Sequence, residues 1–182
     1  MTDDRKTVLC PGRRYDGSAP LLFFARQAAQ RRESDTHILG WSTEAMDDTR
    51  LLVEQVADVL DCLETTRKPL LIGKSLGSFA AVLAAERDLP AVWLTPLLNQ
   101  EEVVAALERA TAPCLLIGGT ADEWSWDGGL ARRLSPHVHE VDGGDHSLML
   151  PDRPLAESAA VLGTVTTAIE RFMDDLVWPR TG

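Results

Sequence analysis

Pro69-Leu70-Leu71-Ile72-Gly73-Lys74-Ser75-Leu76-Gly77-Ser78-Phe79 is the stretch on which the reading of the chain turns. A short branched apolar run leads into Gly-Lys-Ser-Leu-Gly, and the small-residue helical pattern Phe79-Ala80-Ala81-Val82-Leu83-Ala84-Ala85 follows at once. That order predicts strand, one-residue turn, helix. Ser75 has a glycine two positions away on each side, the G-x-S-x-G spacing of a nucleophile elbow. The demand is steric. A turn this tight forces the serine into a strained backbone conformation and brings strand and helix so close that only glycine fits at the flanks.

The same letters also end a phosphate-binding loop, G-x-x-x-x-G-K-[ST]. That motif requires glycine where this chain has Lys68, and a flexible loop where it has Pro69-Leu70-Leu71-Ile72. Branched apolar residues suit a strand and do not wrap a phosphate with backbone N–H groups. The apolar run therefore favours the elbow.

With 182 residues, 45% of them hydrophobic and 25% charged, residues 1–182 are expected to form one domain around a sizeable core. A net charge of -10 argues against nucleic acid or an anionic membrane as partner. No apolar run reaches the roughly 20 residues of a transmembrane helix. Met1-Thr2-Asp3-Asp4-Arg5-Lys6 lacks the apolar core of a signal peptide, so a cytoplasmic address is expected. Cys10, Cys62 and Cys114 have no metal-like spacing and read as buried reduced thiols.

Around the elbow the chain alternates. Strands are expected at Thr7–Cys10, His37–Trp41, Pro69–Ile72, Ala91–Leu94, Pro113–Gly118 and Val138–Val141. A helix after Ser18, a candidate N-cap, has Pro20 in its first turn. A second opens at Asp47 or Asp48 and carries Leu52, Val53, Val56, Val59, Leu60 and Leu63 at three-and-four spacing. Others are expected over Gln100–Ala110, Gly128–Leu134 and Pro154–Val177. Continuous apolar strands between amphipathic helices predict a three-layer α/β sandwich, a mainly parallel six-stranded sheet with helices on both faces. Ligands in such sheets bind at the carboxyl ends of the strands.

Three strand ends carry chemistry. The elbow strand ends in Ser75, the strand Leu115-Leu116-Ile117 runs into Gly118-Gly119-Thr120-Ala121-Asp122, and the last strand runs into Asp142-Gly143-Gly144-Asp145-His146-Ser147. A serine hydroxyl needs a base to take its proton as it attacks, and a histidine can take that proton and hand it to the leaving group. A carboxylate fixes the imidazole tautomer and stabilises the imidazolium. Glu123 and Asp127 compete with Asp122 for that role, while Asp145 reads as a loop-shaping residue. His37, His137 and His139 fall at the start of or within strands, away from a strand end.

Taken with their order along the chain, these residues resemble a small, lidless α/β-hydrolase over nearly the whole sequence. Gly-Lys-Ser-Leu-Gly matches that family's elbow, Gly-Gly-Thr-Ala-Asp its acid loop and Gly-Gly-Asp-His-Ser its histidine loop. The resemblance implies a triad of Ser75, Asp122 and His146, with the Leu76 N–H as one oxyanion donor. The other would come from Cys10-Pro11-Gly12-Arg13, which stands in place of the family's usual His-Gly-x, through Arg13 N–H with Arg14 close behind. The resemblance places the start of the sequence at the family's third strand, so the usual first hairpin is expected to be missing. The short path from Leu94 to the next helix leaves no room for a lid and implies an open, shallow site.

Trp124, Trp126 and Trp41 are candidates to wall the substrate pocket, with packing roles the alternative. Lys74 reads as a bystander with its head in solvent. The expected activity is a serine hydrolase acting on a carboxylic ester or related acyl bond of a small-molecule or acyl substrate. No cofactor and no metal are expected. A thioesterase or acyltransferase would use the same triad, and a non-catalytic binding or scaffold protein is the alternative from another class.

Overall fold

The computed structural model describes residues 4–179; the Met1–Asp3 part of the terminus scanned for a leader lies outside them. Strands β1 (Lys6–Cys10), β2 (Asp35–Ile38), β3 (Leu70–Lys74), β4 (Ala91–Leu94), β5 (Cys114–Gly119) and β6 (His137–Val141) form one sheet in the order β2-β1-β3-β4-β5-β6. Every neighbouring pair is parallel. The helices are α1 (Pro20–Gln30), α2 (Thr43–Asp47), α3 (Thr49–Cys62), α4 (Ala81–Arg87), α5 (Glu101–Arg109), α6 (Gly128–Leu134) and α7 (Leu155–Phe172). A 3-10 turn, Ser75–Ala80, joins β3 to α4, and a π-turn, Met173–Val177, ends α7.

The two faces of the sheet are covered unequally. Leu21, Leu22 and Ala25 of α1 and Val165, Ile169 and Phe172 of α7 pack with Leu9, Leu70, Ile72 and Leu94 on one face. On the other, Leu52 and Val56 of α3, Leu83 of α4, Val103 of α5 and Ala131 of α6 pack with Val8, Leu71, Trp93 and Leu116. Burying a side chain such as Leu52 completely contributes about 1.5–3 kcal/mol. Because β1 is followed by the edge strand β2 and the chain then returns to its other side as β3, the strand order reverses beside β1. The crevice at the carboxyl ends of β1 and β3 is therefore the topological switch point, where ligands bind in such sheets.

Several sequence expectations need correction. Strand β2 lies at Asp35–Ile38 instead of His37–Trp41. It is an edge strand, with exposed ends and half-buried Thr36 and His37 between, so its position is set by pairing of Lys6 with Asp35 and not by an apolar run. Ser18 does not cap α1. Its N–H and hydroxyl both donate to Asp16 Oδ1, and Ala19 occupies the cap position without a side-chain bond. Asp48 does cap α3, accepting from Arg50 N–H, while the short helix α2 before it was not foreseen. Cys10 and Cys114 are buried, and burial pushes the Cys10 thiol up to about 12, but Cys62 is exposed. Among the described residues no helix is long and apolar enough to cross a membrane.

Two glycines differ sharply in what they tolerate. A Cβ on Gly77 would lie 2.0 Å from the Cys10 carbonyl oxygen, whereas one on Gly163, on the exposed side of α7, would meet nothing within 4 Å. Gly77→Ala should therefore lower the free energy of unfolding by about 1–3 kcal/mol through overpacking. Gly163→Ala should raise it by about 0.5–1 kcal/mol through helix entropy. Urea melts of the two variants check this; shifts of the same sign would contradict it.

Candidate active site

β3 delivers Ser75 at its carboxyl end with φ at 52°, in the left-handed region that L side chains rarely adopt. That conformation turns the chain from strand into the 3-10 turn in a single residue. Leu76 follows in the first turn, where backbone N–H groups have no intrahelical acceptor. Next to it runs the loop after β1. A Cβ placed on Gly12 would lie 3.5 Å from the Ser75 Cβ, so Gly12 borders the serine. Trp41 Nε1 donates to the Pro11 carbonyl at 2.8 Å and pins this loop, and the Arg13 guanidinium reaches away to Asp47 at 2.9 Å and to the Met46 carbonyl. Pro11, Gly12, Arg13, Arg14, Trp41 and Met46 line a cleft of about 390 Å³ there.

The loops after β5 and β6 are locked together. A Cβ on Gly119 would lie 2.1 Å from the Gly144 carbonyl oxygen, and that carbonyl accepts from Ala121 N–H at 3.0 Å. Asp145 closes the second loop on itself: its Oδ1 accepts from Ser147 N–H at 2.7 Å and Met149 N–H at 2.9 Å. The two loops bring Asp122 and His146 to Ser75. His146 Nε2 lies 2.8 Å from Ser75 Oγ, and His146 Nδ1 lies 2.6 Å from Asp122 Oδ2. An ionised carboxylate can only accept, so Nδ1 carries the proton and Nε2 is left to accept from the serine.

Asp122 is almost wholly inaccessible. Burial by itself pushes its carboxyl up, but hydrogen bonds from His146 and Ser125, with the charge of His146, outweigh that and hold it below the ordinary carboxylate value. Ser125, buried and three residues on, is a partner that sequence reasoning missed. Its hydroxyl donates to Asp122 Oδ2 and lies 3.1 Å from His146 Nδ1. The cause is a local turn: Trp126 N–H donates to the Asp122 carbonyl at 2.9 Å and folds Ser125 back under the carboxylate. Of the rival acids, Asp127 caps α6 by accepting from Leu130 N–H, and Glu123 is exposed.

The tryptophans separate. Trp124 is 65% exposed and meets the His146 ring edge-on, with centroids 6.1 Å apart, so it stands at the rim of the site. Trp126, for which a pocket wall and a packing role were both open, is a core residue. Its ring occupies the space above Gly118, where a Cβ would come within 2.1 Å, and its Nε1 donates to Glu140 at 2.8 Å. Trp41 braces the loop after β1, as above. Lys74 also departs from expectation: it is only 1% exposed, and its Nζ donates to the His146 carbonyl at 2.7 Å. Among the described residues no group of histidine, cysteine and acidic side chains could hold a metal ion.

A family described as "Alpha/beta hydrolase domain" matches residues 41–174, a span that holds Ser75, Asp122 and His146 but starts after the loop of Arg13. No curated protein matches the chain in sequence. Est1E from Butyrivibrio proteoclasticus, with ferulic acid bound, is similar with a TM-score of 0.71 and 15% identity, over 97% of this chain and 91% of its own. A dienelactone hydrolase from Anabaena variabilis has a TM-score of 0.69 and 20% identity, over 94% and 86%. Alpha/beta hydrolase domain-containing protein 10 from mouse has a TM-score of 0.65 and 14% identity, over 94% and 92%. At these identities the likeness is one of fold.

The depressed Asp122 carboxyl gives a pH test. Its stabilisation is complete above its unfolded value, about 3.9, and is lost as pH falls through the lower folded value. Ser125→Ala removes one of the bonds that lower it, so the folded value moves back up. Stability at pH 7 should fall by about 1–3 kcal/mol, and the further loss between pH 7 and pH 3 should be smaller than in the wild type. Urea midpoints at the two pH values measure this; an unchanged or larger acid-side loss would contradict it.

Proposed function

The chain belongs to the α/β-hydrolase family, and from that premise we propose that it is a serine hydrolase cleaving a carboxylic ester or related acyl bond through an acyl-enzyme on Ser75. The observation that carries the reading is the unbroken chain of hydrogen bonds from Ser75 Oγ through both ring nitrogens of His146 to Asp122. In this reading His146 Nε2 takes the serine proton as Oγ forms a bond to the acyl carbon. The carbonyl oxygen becomes an oxyanion, met by the Leu76 and Arg13 N–H groups. Each such donor is worth about 2.7–4 kcal/mol of barrier. The C–O bond to the leaving group then breaks, and His146 returns its proton to the departing oxygen. Water repeats the cycle on the acyl-enzyme, so that acid and alcohol are the products and Ser75 is regenerated.

Asp122 stays ionised throughout. Its role is to hold the tautomer with Nδ1 protonated and to stabilise the imidazolium, and its low carboxyl value supports that role. We read the whole chain as one catalytic domain. The path from β4 to α5 spans only residues 95–100, which favours an open site and compact substrates. Ferulic acid, held by Est1E, is an aromatic carboxylic acid, and a dienelactone is a cyclic ester. Both lend weight to a small carboxylic acid derivative as substrate, with exposed Trp124 as a surface for an aromatic or alkyl group.

Hydrolysis of p-nitrophenyl acetate is expected for the wild type, and Ser75→Ala should lower kcat/KM by about 10,000-fold or more, to the residual level left when a triad member is lost. Asp122→Asn, which favours the wrong tautomer, should cost about 10,000-fold in kcat. A Ser75→Ala protein within tenfold of wild type would overturn the reading.

A further inference from the structure

The lysine beside the nucleophile has no place in the chemistry above. Lys74 is the last residue of β3 and projects to the same side of the sheet as Leu70 and Ile72, toward α1 and α7. Its ammonium sits beneath the histidine loop, donates to the His146 carbonyl at 2.7 Å, and lies 5.0 Å from the centre of the Tyr15 ring. The charged and titratable groups facing it are Tyr15 from the loop after β1, Asp122 from the loop after β5, and Asp145 and His146 from the loop after β6. Among the described residues no carboxylate lies within ion-pair distance of it.

Stability does not account for a lysine at this place. A nearly unexposed ammonium with no ion-pair partner costs free energy, and a methionine would fill a similar volume without that cost. What the ammonium does is close a ring of contacts. Ser75 is bonded to Lys74, Lys74 Nζ holds the His146 backbone, and the His146 ring returns to Ser75 Oγ at 2.8 Å. The histidine is thus tied to β3 at two points, main chain and ring. Asp145 folds the histidine loop only onto itself, and so does not fix its distance from β3.

We propose that Lys74 is a positioning residue: its ammonium, by gripping the His146 carbonyl, holds the imidazole at proton-transfer distance from Ser75. The proposal rests on the serine-hydrolase reading. It implies that the tether needs the charge, which supplies a charge-assisted hydrogen bond and the attraction to the Tyr15 ring. Burial pulls the Lys74 ammonium down to about 8, against the pull of Asp122 and Asp145, so the charge is present at neutral pH and is lost as pH rises through that value.

Lys74→Met, assayed beside wild type and Ser75→Ala with p-nitrophenyl acetate from pH 6.5 to 9.5, tests this. The expected result is a folded protein. Its kcat should be lower by about 10–100-fold, the scale of a 1 Å misplacement, with KM within about twofold. The wild type should lose kcat as pH rises through about 8, and Lys74→Met should lack that limb. A folded Lys74→Met with wild-type kcat, or one that keeps the limb, overturns the tether. If Lys74→Met does not fold, the wild-type profile decides alone, and a kcat that stays flat to pH 9.5 overturns it. An active Ser75→Ala brings down the hydrolase reading and the tether with it. An inactive Ser75→Ala beside a fully active Lys74→Met brings down the tether only.

Discussion

Everything at the carboxyl edge of this sheet depends on one residue being held at positive φ. Ser75, at 52°, reverses the chain between β3 and the 3-10 turn within a single residue. The strain of that conformation, on the order of 1–3 kcal/mol, persists only where the surroundings over-determine it. Here they do so through close approach: the turn after Ser75 passes so near β1 that Gly77 all but touches the Cys10 carbonyl. The same approach puts the loop of Gly12 beside the serine. Steric crowding, more than any one attractive contact, lifts the hydroxyl to where the other two loops can meet it.

Those loops meet it because they are joined to each other first. Gly119 and Gly144 let the backbones after β5 and β6 come into contact, so Asp122 and His146 arrive as one unit. Within that unit the buried polar groups are mutually satisfied. Ser125 and His146 both donate to Asp122, which outweighs the cost of burying the carboxylate. Lys74 is the exception in kind, a buried cation whose hydrogen bond goes to a main-chain carbonyl. Low-dielectric surroundings make each of these bonds stronger and each vacancy costlier, so the constellation is rigid only while it is complete.

The sequence showed the parallel sheet clearly, because central strands buried on both faces must be continuous apolar runs; β4 and α6 were read to the residue. It showed the edge poorly. In β2 the pairing partner, not hydrophobicity, selects Asp35–Ile38, and a polar Asp35-Thr36 carries no strand signal. Ser75, Asp122 and His146 were legible as candidates because each follows a readable strand. Ser125 was not, since a serine under a carboxylate looks like any loop serine. Lys74 was misread, and Trp126 stayed open between pocket wall and packing, for a shared reason. A lysine is ordinarily solvated and a tryptophan beside an acid loop could face either way; only the packing of the histidine loop over β3, and of an indole on Gly118, decides their surroundings.

The central claim is that Ser75 carries the acyl group, and the most direct test is to catch it there. The protein would be mixed with p-nitrophenyl acetate, quenched in acid during the first turnovers, digested, and its peptides weighed. The account predicts an added acetyl group on the peptide containing Gly73-Lys74-Ser75-Leu76-Gly77, localised to Ser75 by fragmentation and absent after a longer chase in water. Acetylation that builds up and turns over on another residue, with Ser75 unmodified, would contradict it.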